Sequence, residues 1–225
     1  MNPRIARTKS VLWVAAALGA FLAAPAAGMP SAPPHASADV PPQTALRQDM
    51  RKLWTDHVIW TREYIVAAVG DQPDRQAAAS RLMKNQEDIG AAVASFYGKA
   101  AGDQLTTLLK EHISIAVEII QFAKAGDKAS QQQADAKWRR NGDEIADFLS
   151  KANPHWPKSV LAQMMATHLS TTTEEVVARL TKNWEADVRA FDAVYEHILA
   201  MADALSDGII AQFPDKFAGA PATRR

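Results

Sequence analysis

The sequence predicts an all-α fold, namely an antiparallel up-and-down bundle of about six helices built from three αα-hairpin pseudo-repeats. From Thr44 onwards, residues that favour helices dominate, and apolar side chains recur at every third or fourth position. Clusters of glycine, proline and asparagine interrupt this pattern, whereas no stretch alternates with the period of a strand. Because the interruptions are short, neighbouring helices should run antiparallel.

The interruptions define six helices in order, near 44–69, 75–96, 103–124, 129–150, 158–180 and 183–212. Glycine bounds the first three of them. The first helix ends at Gly70 and the second at Gly98, with Gly102 as a further break before the third helix begins. Gly126 separates the third helix from the fourth.

Proline bounds most of the remaining helices. The segment 153–157, which contains Pro154 and Pro157, ends the fourth helix, and a weaker break at 181–183 ends the fifth. Pro214 stops the sixth helix. We therefore expect a helical bundle domain over 44–214 and a disordered tail over 215–225.

The N-terminal segment has the pattern of a secretory signal. A short basic stretch over 1–10 precedes about 14 apolar residues over 11–24, and small residues follow them. The apolar run is too short to span a membrane comfortably. We predict a signal peptide over 1–27, a flexible Pro/Ala-rich leader over 28–43, and a periplasmic or secreted protein without stable membrane insertion after cleavage.

Composition excludes several classes of protein. The chain of 225 residues has no cysteine, which excludes disulfides, thiolate metal sites and cysteine nucleophiles. Its 25 basic and 25 acidic residues balance, and removing Arg4, Arg7 and Lys9 with the signal leaves 22 basic residues and a charge of about −3. This charge argues against a nucleic-acid partner, because electrostatic binding of DNA or RNA needs a clustered basic surface. The sequence has neither a nucleotide-binding glycine motif nor a serine nucleophile motif.

Two sequence boxes recur along the helices, which indicates a repeated αα unit. In each odd-numbered helix, two apolar residues and two mostly polar ones precede a histidine and an aliphatic residue; these histidines are His57, His112 and His168. The second and fourth helices share the box apolar-x-x-Asn-x-x-acid-Ile, whose polar members are Asn85 with Asp88 and Asn141 with Glu144.

The spacing of the boxes predicts one polar layer across the bundle. Successive histidine and asparagine positions are 27 to 29 residues apart, and a further step of 29 from His168 reaches His197. Equal steps out and back in an antiparallel bundle return the chain to the same height. The predicted layer contains His57, Asn85, His112, Asn141, His168 and His197. The histidines lie on the apolar stripes of their helices, while the acids that directly precede three of them should face solvent: Asp56, Glu111 and Glu196.

The leading interpretation of this layer is a transition-metal site, because histidine is a common ligand and helical bundles build such sites from facing helices. The expected ligands are His57, His112, His168 and His197. Asn85 and Asn141 would support them, and Asp88 and Glu144 would either bind the metal or orient a ligand histidine. Imidazole suits copper, zinc and iron, and three nearby methionines slightly favour copper: Met164, Met165 and Met201.

Two other interpretations stay open. The layer could be a closed hydrogen-bond network that only fixes packing, or it could line a pocket for a small organic ligand. In either case the protein would be a non-enzymatic binding or adaptor module. A metal-dependent hydrolase or oxidase would need an open coordination position, which the sequence does not reveal, and no catalytic residue is identified. The sequence therefore favours a protein that is not an enzyme.

Several boxes resemble those of a group of small exported bacterial all-helical proteins. The motifs that carry the resemblance are His57-x-x-Trp60-Thr61-Arg62, Leu82-x-x-Asn85-Gln86-x-Asp88-Ile89-Gly90, Leu109-x-x-His112-Ile113 and Ile209-Ile210-Ala211-Gln212-Phe213-Pro214. The resemblance covers about residues 50–215. It implies a bundle of helices and supplies no activity, cofactor or partner.

Overall fold

The computed structural model describes residues 40–218, and this part of the chain is helical with no strand. Its helices are α1 (Pro42–Val69), α2 (Arg75–Tyr97), α3 (Lys99–Ala125), α4 (Lys128–Ala152), α5 (Lys158–Leu180), α6 (Trp184–Gln212) and α7 (Pro214–Phe217). The predicted all-α bundle of about six helices is confirmed. The predicted signal peptide, 1–27, and most of the predicted leader, 28–43, lie outside the described residues.

The six long helices pack in chain order, and the last one returns to the first. Each helix contacts the next along the chain, and α6 packs against α1, so the helices close around a common core. In addition, α1 contacts both α3 and α5 across the bundle. The inner faces of these three helices, which carry the repeated histidines, therefore lie beside one another.

Short turns with specific caps connect the helices. Gly126 ends α3 in the left-handed conformation, with φ 73°, and Asp127 then caps α4 by accepting a hydrogen bond of 3.1 Å from the Ser130 backbone N–H. Asn183 caps α6 in the same way, through a 3.1 Å bond from the Ala186 backbone N–H. The connection between α2 and α3 is the single residue Gly98, whose φ of 85° favours glycine.

The observed start of α3 differs from the predicted one, because α3 begins at Lys99 rather than at residue 103. Gly102 lies inside the helix, where it allows α3 to approach α2 closely. A Cβ atom on Gly102 would lie 2.5 Å from the carbonyl oxygen of Gly90, and one on Gly90 would lie 2.7 Å from the carbonyl oxygen of Gly102. The glycine pair therefore marks a close helix contact and not a chain break.

The folded domain extends beyond the predicted boundary at residue 214. The short helix α7 buries Phe217, which is 8% exposed and stacks on Phe96 with 6.0 Å between ring centroids. Residues 215–217 therefore belong to the bundle, whereas the sequence predicts a disordered tail from 215. The end of that tail, 219–225, lies outside the described residues. No helix within 40–218 is both long enough and apolar enough to cross a membrane.

Candidate functional site: a buried histidine layer

Histidines from the three odd-numbered helices meet in the middle of the bundle. His57, His112 and His168 are 2%, 3% and 5% exposed. The ring of His168 lies between the other two, with centroid separations of 5.7 Å to His57 and 5.9 Å to His112. The ring centroid of His197 on α6 lies 6.4 Å from that of His168, and His197 is partly exposed. We call these four residues, with Asn85, Gln86 and Asn141, the histidine layer.

The even-numbered helices attach to the odd-numbered ones through one repeated hydrogen bond. The Asn85 side-chain amide donates to the Leu53 carbonyl at 2.9 Å, and the Asn141 amide donates to the Leu108 carbonyl at 3.1 Å. Each carbonyl lies four residues before a layer histidine. In the third repeat, His197 takes the place of asparagine, and its Nε2–H donates to the Met164 carbonyl at 2.9 Å. His197 is therefore the counterpart of Asn85 and Asn141, and not of the other three histidines.

The three repeats differ at the Nδ1 atom of the inner histidine. His112 Nδ1 lies 2.8 Å from Asn141 Oδ1, and because that oxygen only accepts, Nδ1 carries the proton and Nε2 the free lone pair. His57 Nδ1 lies 3.3 Å from the Gln86 amide nitrogen, which only donates, so the His57 proton sits on Nε2. His168 Nδ1 is buried and finds no hydrogen-bond partner within 40–218.

Sequence reasoning missed Gln86, which is fully buried beside His57. Its amide nitrogen also lies 2.8 Å from the Leu82 carbonyl oxygen and 3.1 Å from Asn85 Oδ1, so its two hydrogens are shared among three acceptors. The equivalent positions of the other repeats hold Gly142 and Ile198, so only the first repeat has this partner. The available sequence signal is that the residue directly after the layer asparagine differs between the repeats.

Burial keeps the inner rings neutral. It lowers the pKa of His57 to about 3, with a further decrease from the nearby His112, and it lowers the pKa of His112 to about 4. Burial, together with the neighbouring imidazoles, holds the pKa of His168 well below its ordinary value. All three imidazoles are therefore uncharged near neutral pH, which is the form that binds metal ions.

A small cavity lies against the three inner rings. Its volume is about 20 Å³, and the side chains that line it include the indole of Trp54 and the thioethers of Met165 and Met201. A space of this size accommodates one water-sized group, since about 10 to 15 Å³ suffices for a water molecule. It is far below the roughly 300 Å³ typical of pockets for organic ligands. Within 40–218, no three His, Cys, Asp or Glu side chains are arranged so that they could hold a metal ion.

The predicted carboxylates do not join the layer. Asp88 forms an ion pair with Lys84 on the outside of α2, and Glu144 is exposed on α4. The inward face continues from Asn85 and Asn141 to the residues four positions later, the buried Ile89 and Ile145, rather than three positions later. Of the acids expected to face solvent, Glu111 and Glu196 are exposed, while Asp56 is half-buried in a 2.7 Å pair with Lys52.

A second buried polar group, which we call the ion cluster, joins α1, α5 and α6. Arg62 contacts Glu175 at 2.7 Å and Asp187 at 3.0 Å, and Arg179 contacts Asp187 at 3.1 Å. Both carboxylates are almost completely buried, at 1% and 2% exposed. The sequence offered little signal for the cluster, because its four residues do not recur in the repeats.

The two carboxyl groups of the ion cluster differ in their proton affinity. Burial raises the pKa of Glu175 to about 7, although its hydrogen bond from Arg62 opposes the increase. Burial also acts on Asp187, but the hydrogen bonds from Arg62 and Arg179 prevail and hold its pKa below the ordinary value. Glu175 is therefore the buried acid that changes charge near neutral pH.

Comparison of the chain with protein-family models, with curated proteins and with solved structures gives no match.

Proposed function

We propose that this protein is an exported, non-enzymatic binding protein for a monovalent copper ion, Cu(I), held in the histidine layer. The observation that carries the proposal is the buried Nδ1 of His168, which has no partner in the described part of the chain and lies between two other neutral imidazoles beside a cavity lined by two methionines. Leaving a buried polar atom unpaired costs about 1 to 3 kcal/mol, and a bound ion would remove that cost. Export rests on the N-terminal sequence pattern.

The charge of the surroundings favours a monovalent ion. With Asp88 and Glu144 outside, the inner layer offers only neutral donors. Burying a divalent ion among neutral donors is more expensive than burying a monovalent one, because the desolvation cost grows with charge and no carboxylate of residues 40–218 lies in the layer. Soft thioether ligands select Cu(I), and imidazole also suits copper. The sequence also allows zinc and iron. For these divalent ions the layer would need carboxylate ligands, and Asp88 and Glu144 lie outside it.

The tautomers suggest which atoms would bind the ion. His112 presents the lone pair of Nε2 because its Nδ1–H donates to Asn141 Oδ1, and a bond of this kind usually fixes the orientation of a histidine that binds metal. His168 offers its unpartnered Nδ1, and Met165 and Met201 offer sulfur. His57 carries its proton on Nε2 and His197 donates from Nε2, so both would serve as neighbours rather than ligands.

The test is an anaerobic titration of the purified chain with Cu(I) against a coloured chelator, together with elemental analysis. We expect one tightly held ion per chain, lost in His168→Ala and strongly weakened in His112→Ala. His155→Ala is the matched control, because His155 is exposed in the turn before α5 and should leave binding unchanged. Failure of the natural chain to compete with the chelator would overturn the proposal.

The alternative is that the layer is a structural network in a binding or adaptor module. The three repeated bonds from Asn85, Asn141 and His197 to carbonyls favour it, because they join neighbouring helices without any ligand. In that case the chain would contain no copper, and neither Cu(I) nor a chelator would change its melting temperature. The cavity volume gives no support to an organic ligand inside the layer.

A further inference from the structure

We propose that Glu175 supplies the counter-charge for the buried cation: it loses its proton when Cu(I) enters the histidine layer, so that one positive charge replaces another. This inference rests on the proposed function. It concerns a residue outside the layer that would not touch the ion. Glu175 would therefore tune the affinity of the site by its charge.

The position of Glu175 allows this coupling. It follows His168 by seven residues on α5, which is two helical turns and about 10 Å along the same inner face. Thr172 lies between them, buried, with its hydroxyl donating to the His168 carbonyl at 2.8 Å. The path along α5 from the carboxyl group to the layer is thus buried, and charges interact more strongly through a protein interior than they do across water.

The surroundings of Glu175 leave its charge adjustable. Arg62 on α1, Arg179 on α5 and Asp187 on α6 are the charged groups that face it. The two arginines and Asp187 together carry one net positive charge. Glu175 cancels this charge when it is ionised and leaves it uncompensated when it is protonated. Burial raises the pKa of Glu175 to about 7, so both forms are populated at neutral pH.

The exchange balances in charge and in atoms. Cu(I) enters the layer, the Glu175 carboxylic acid becomes a carboxylate, and its proton leaves to solvent, with no change in oxidation state. The ligand imidazoles, His112 and His168, release no proton at this pH, because burial lowers the pKa of His112 to about 4 and holds that of His168 well below its ordinary value. Any proton released above pH 6 must therefore come from outside the inner rings.

The expected coupling follows from Coulomb's law. Two unit charges about 10 Å apart in a medium of effective dielectric constant near 20 shift each other's equilibria by roughly tenfold. The affinity for Cu(I) should therefore rise by roughly five- to tenfold between pH 6 and pH 8. Near pH 6.5, binding of one ion should release about half a proton.

The experiment is anaerobic calorimetry of the full chain with Cu(I), supplied as its acetonitrile complex, at pH 6.5 in two buffers with different heats of protonation. The natural chain should release about half a proton per ion, and Glu175→Gln should bind the ion and release almost none. Glu174→Gln is the matched control, because Glu174 is the exposed neighbour on α5 and should behave like the natural chain. Circular dichroism checks that each variant folds.

The outcomes separate the two proposals. Cu(I) binding without proton release, or equal release from Glu175→Gln, would overturn the role of Glu175 and leave the copper site standing. No binding at all would overturn both. If Glu175→Gln does not fold, the pH dependence of affinity in the natural chain decides, and an affinity that is constant from pH 6 to pH 8 would end the inference.

Discussion

The histidine layer and the ion cluster lie about two turns apart along α5, and they accommodate buried polar groups in opposite ways. The layer stays neutral, because burial prevents its imidazoles from accepting protons. The cluster keeps Asp187 and both arginines ionised, because two arginines face two carboxyl groups at 2.7 to 3.1 Å. The difference shows that one bundle can bury polar groups in two ways two helical turns apart, by keeping the imidazoles neutral and by pairing opposite charges.

The largest effect should appear in the pH dependence of stability, where the two regions act with opposite sign. The three inner histidines have ordinary pKa values near 6.5 when unfolded and much lower ones when folded. Their contribution is therefore complete above pH 6.5 and is lost as the pH falls. Folding raises the pKa of Glu175 to about 7, so the ionised carboxylate destabilises the folded protein. Protonation of Glu175 therefore restores stability as the pH falls over the same range.

Between pH 7 and pH 5.5, protonation of the histidines should lower the free energy of unfolding by about 4 kcal/mol, whereas protonation of Glu175 should raise it by roughly 1 to 2 kcal/mol. We therefore expect the natural chain to lose about 2 kcal/mol and Glu175→Gln to lose about 4 kcal/mol over this range. Urea denaturation at each pH, followed by circular dichroism in the presence of a chelator, measures both. Equal losses in the two proteins would mean that Glu175 does not titrate in this range.

The second effect tests the charged region alone. Arg62→Ala at pH 8 should lower the free energy of unfolding by about 3 kcal/mol, because it leaves Glu175 without its arginine and Asp187 with only Arg179. Arg51→Ala is the control, since Arg51 pairs with Asp203 on the surface, and it should leave the urea midpoint almost unchanged. Similar losses in both variants would show that the ion cluster behaves as a surface ion pair does.

The third effect tests the neutral region. Asn141→Ala should cost about 2 kcal/mol, because the Leu108 carbonyl loses a donor and His112 Nδ1–H loses its acceptor inside the core. Gln133→Ala on the same helix is the control, because Gln133 is exposed and should cost little. A small loss in Asn141→Ala, confirmed by thermal melting, would mean that other groups satisfy both atoms.

Much of the neutral region follows from the sequence. The 27- to 29-residue steps predict that the histidines meet at one height, and the rings of neighbouring residues lie 5.7 to 6.4 Å apart. The apolar stripes also predict that the inner rings are buried. Their role as metal ligands stays a prediction. Periodicity succeeds here because the same short hairpin is repeated, which converts spacing along the chain into height in the bundle.

Other features could not be predicted from periodicity. Positions three and four residues after an asparagine both lie near its face, and the choice of Ile89 over Asp88 depends on how each helix is rotated against its neighbours. Glycine at position 102 is typical of a break between helices, but in the structure it lies inside α3 and allows close contact with α2. The ion cluster joins three helices at positions that do not repeat, so nothing in the spacing pairs Arg62 with Asp187.

The smallest effect distinguishes two histidines of the layer, because replacing one should destabilise the protein and replacing the other should not. Without metal, His112→Leu should cost about 2 kcal/mol, because Asn141 Oδ1 loses its donor. His168→Leu breaks no side-chain hydrogen bond within 40–218 and removes an unpaired buried nitrogen, so it should be neutral or stabilise by up to about 1 kcal/mol. Urea denaturation in chelator measures both variants. A loss for His168→Leu as large as that for His112→Leu would mean that His168 already has a partner, and the third repeat would then have no open position for an ion.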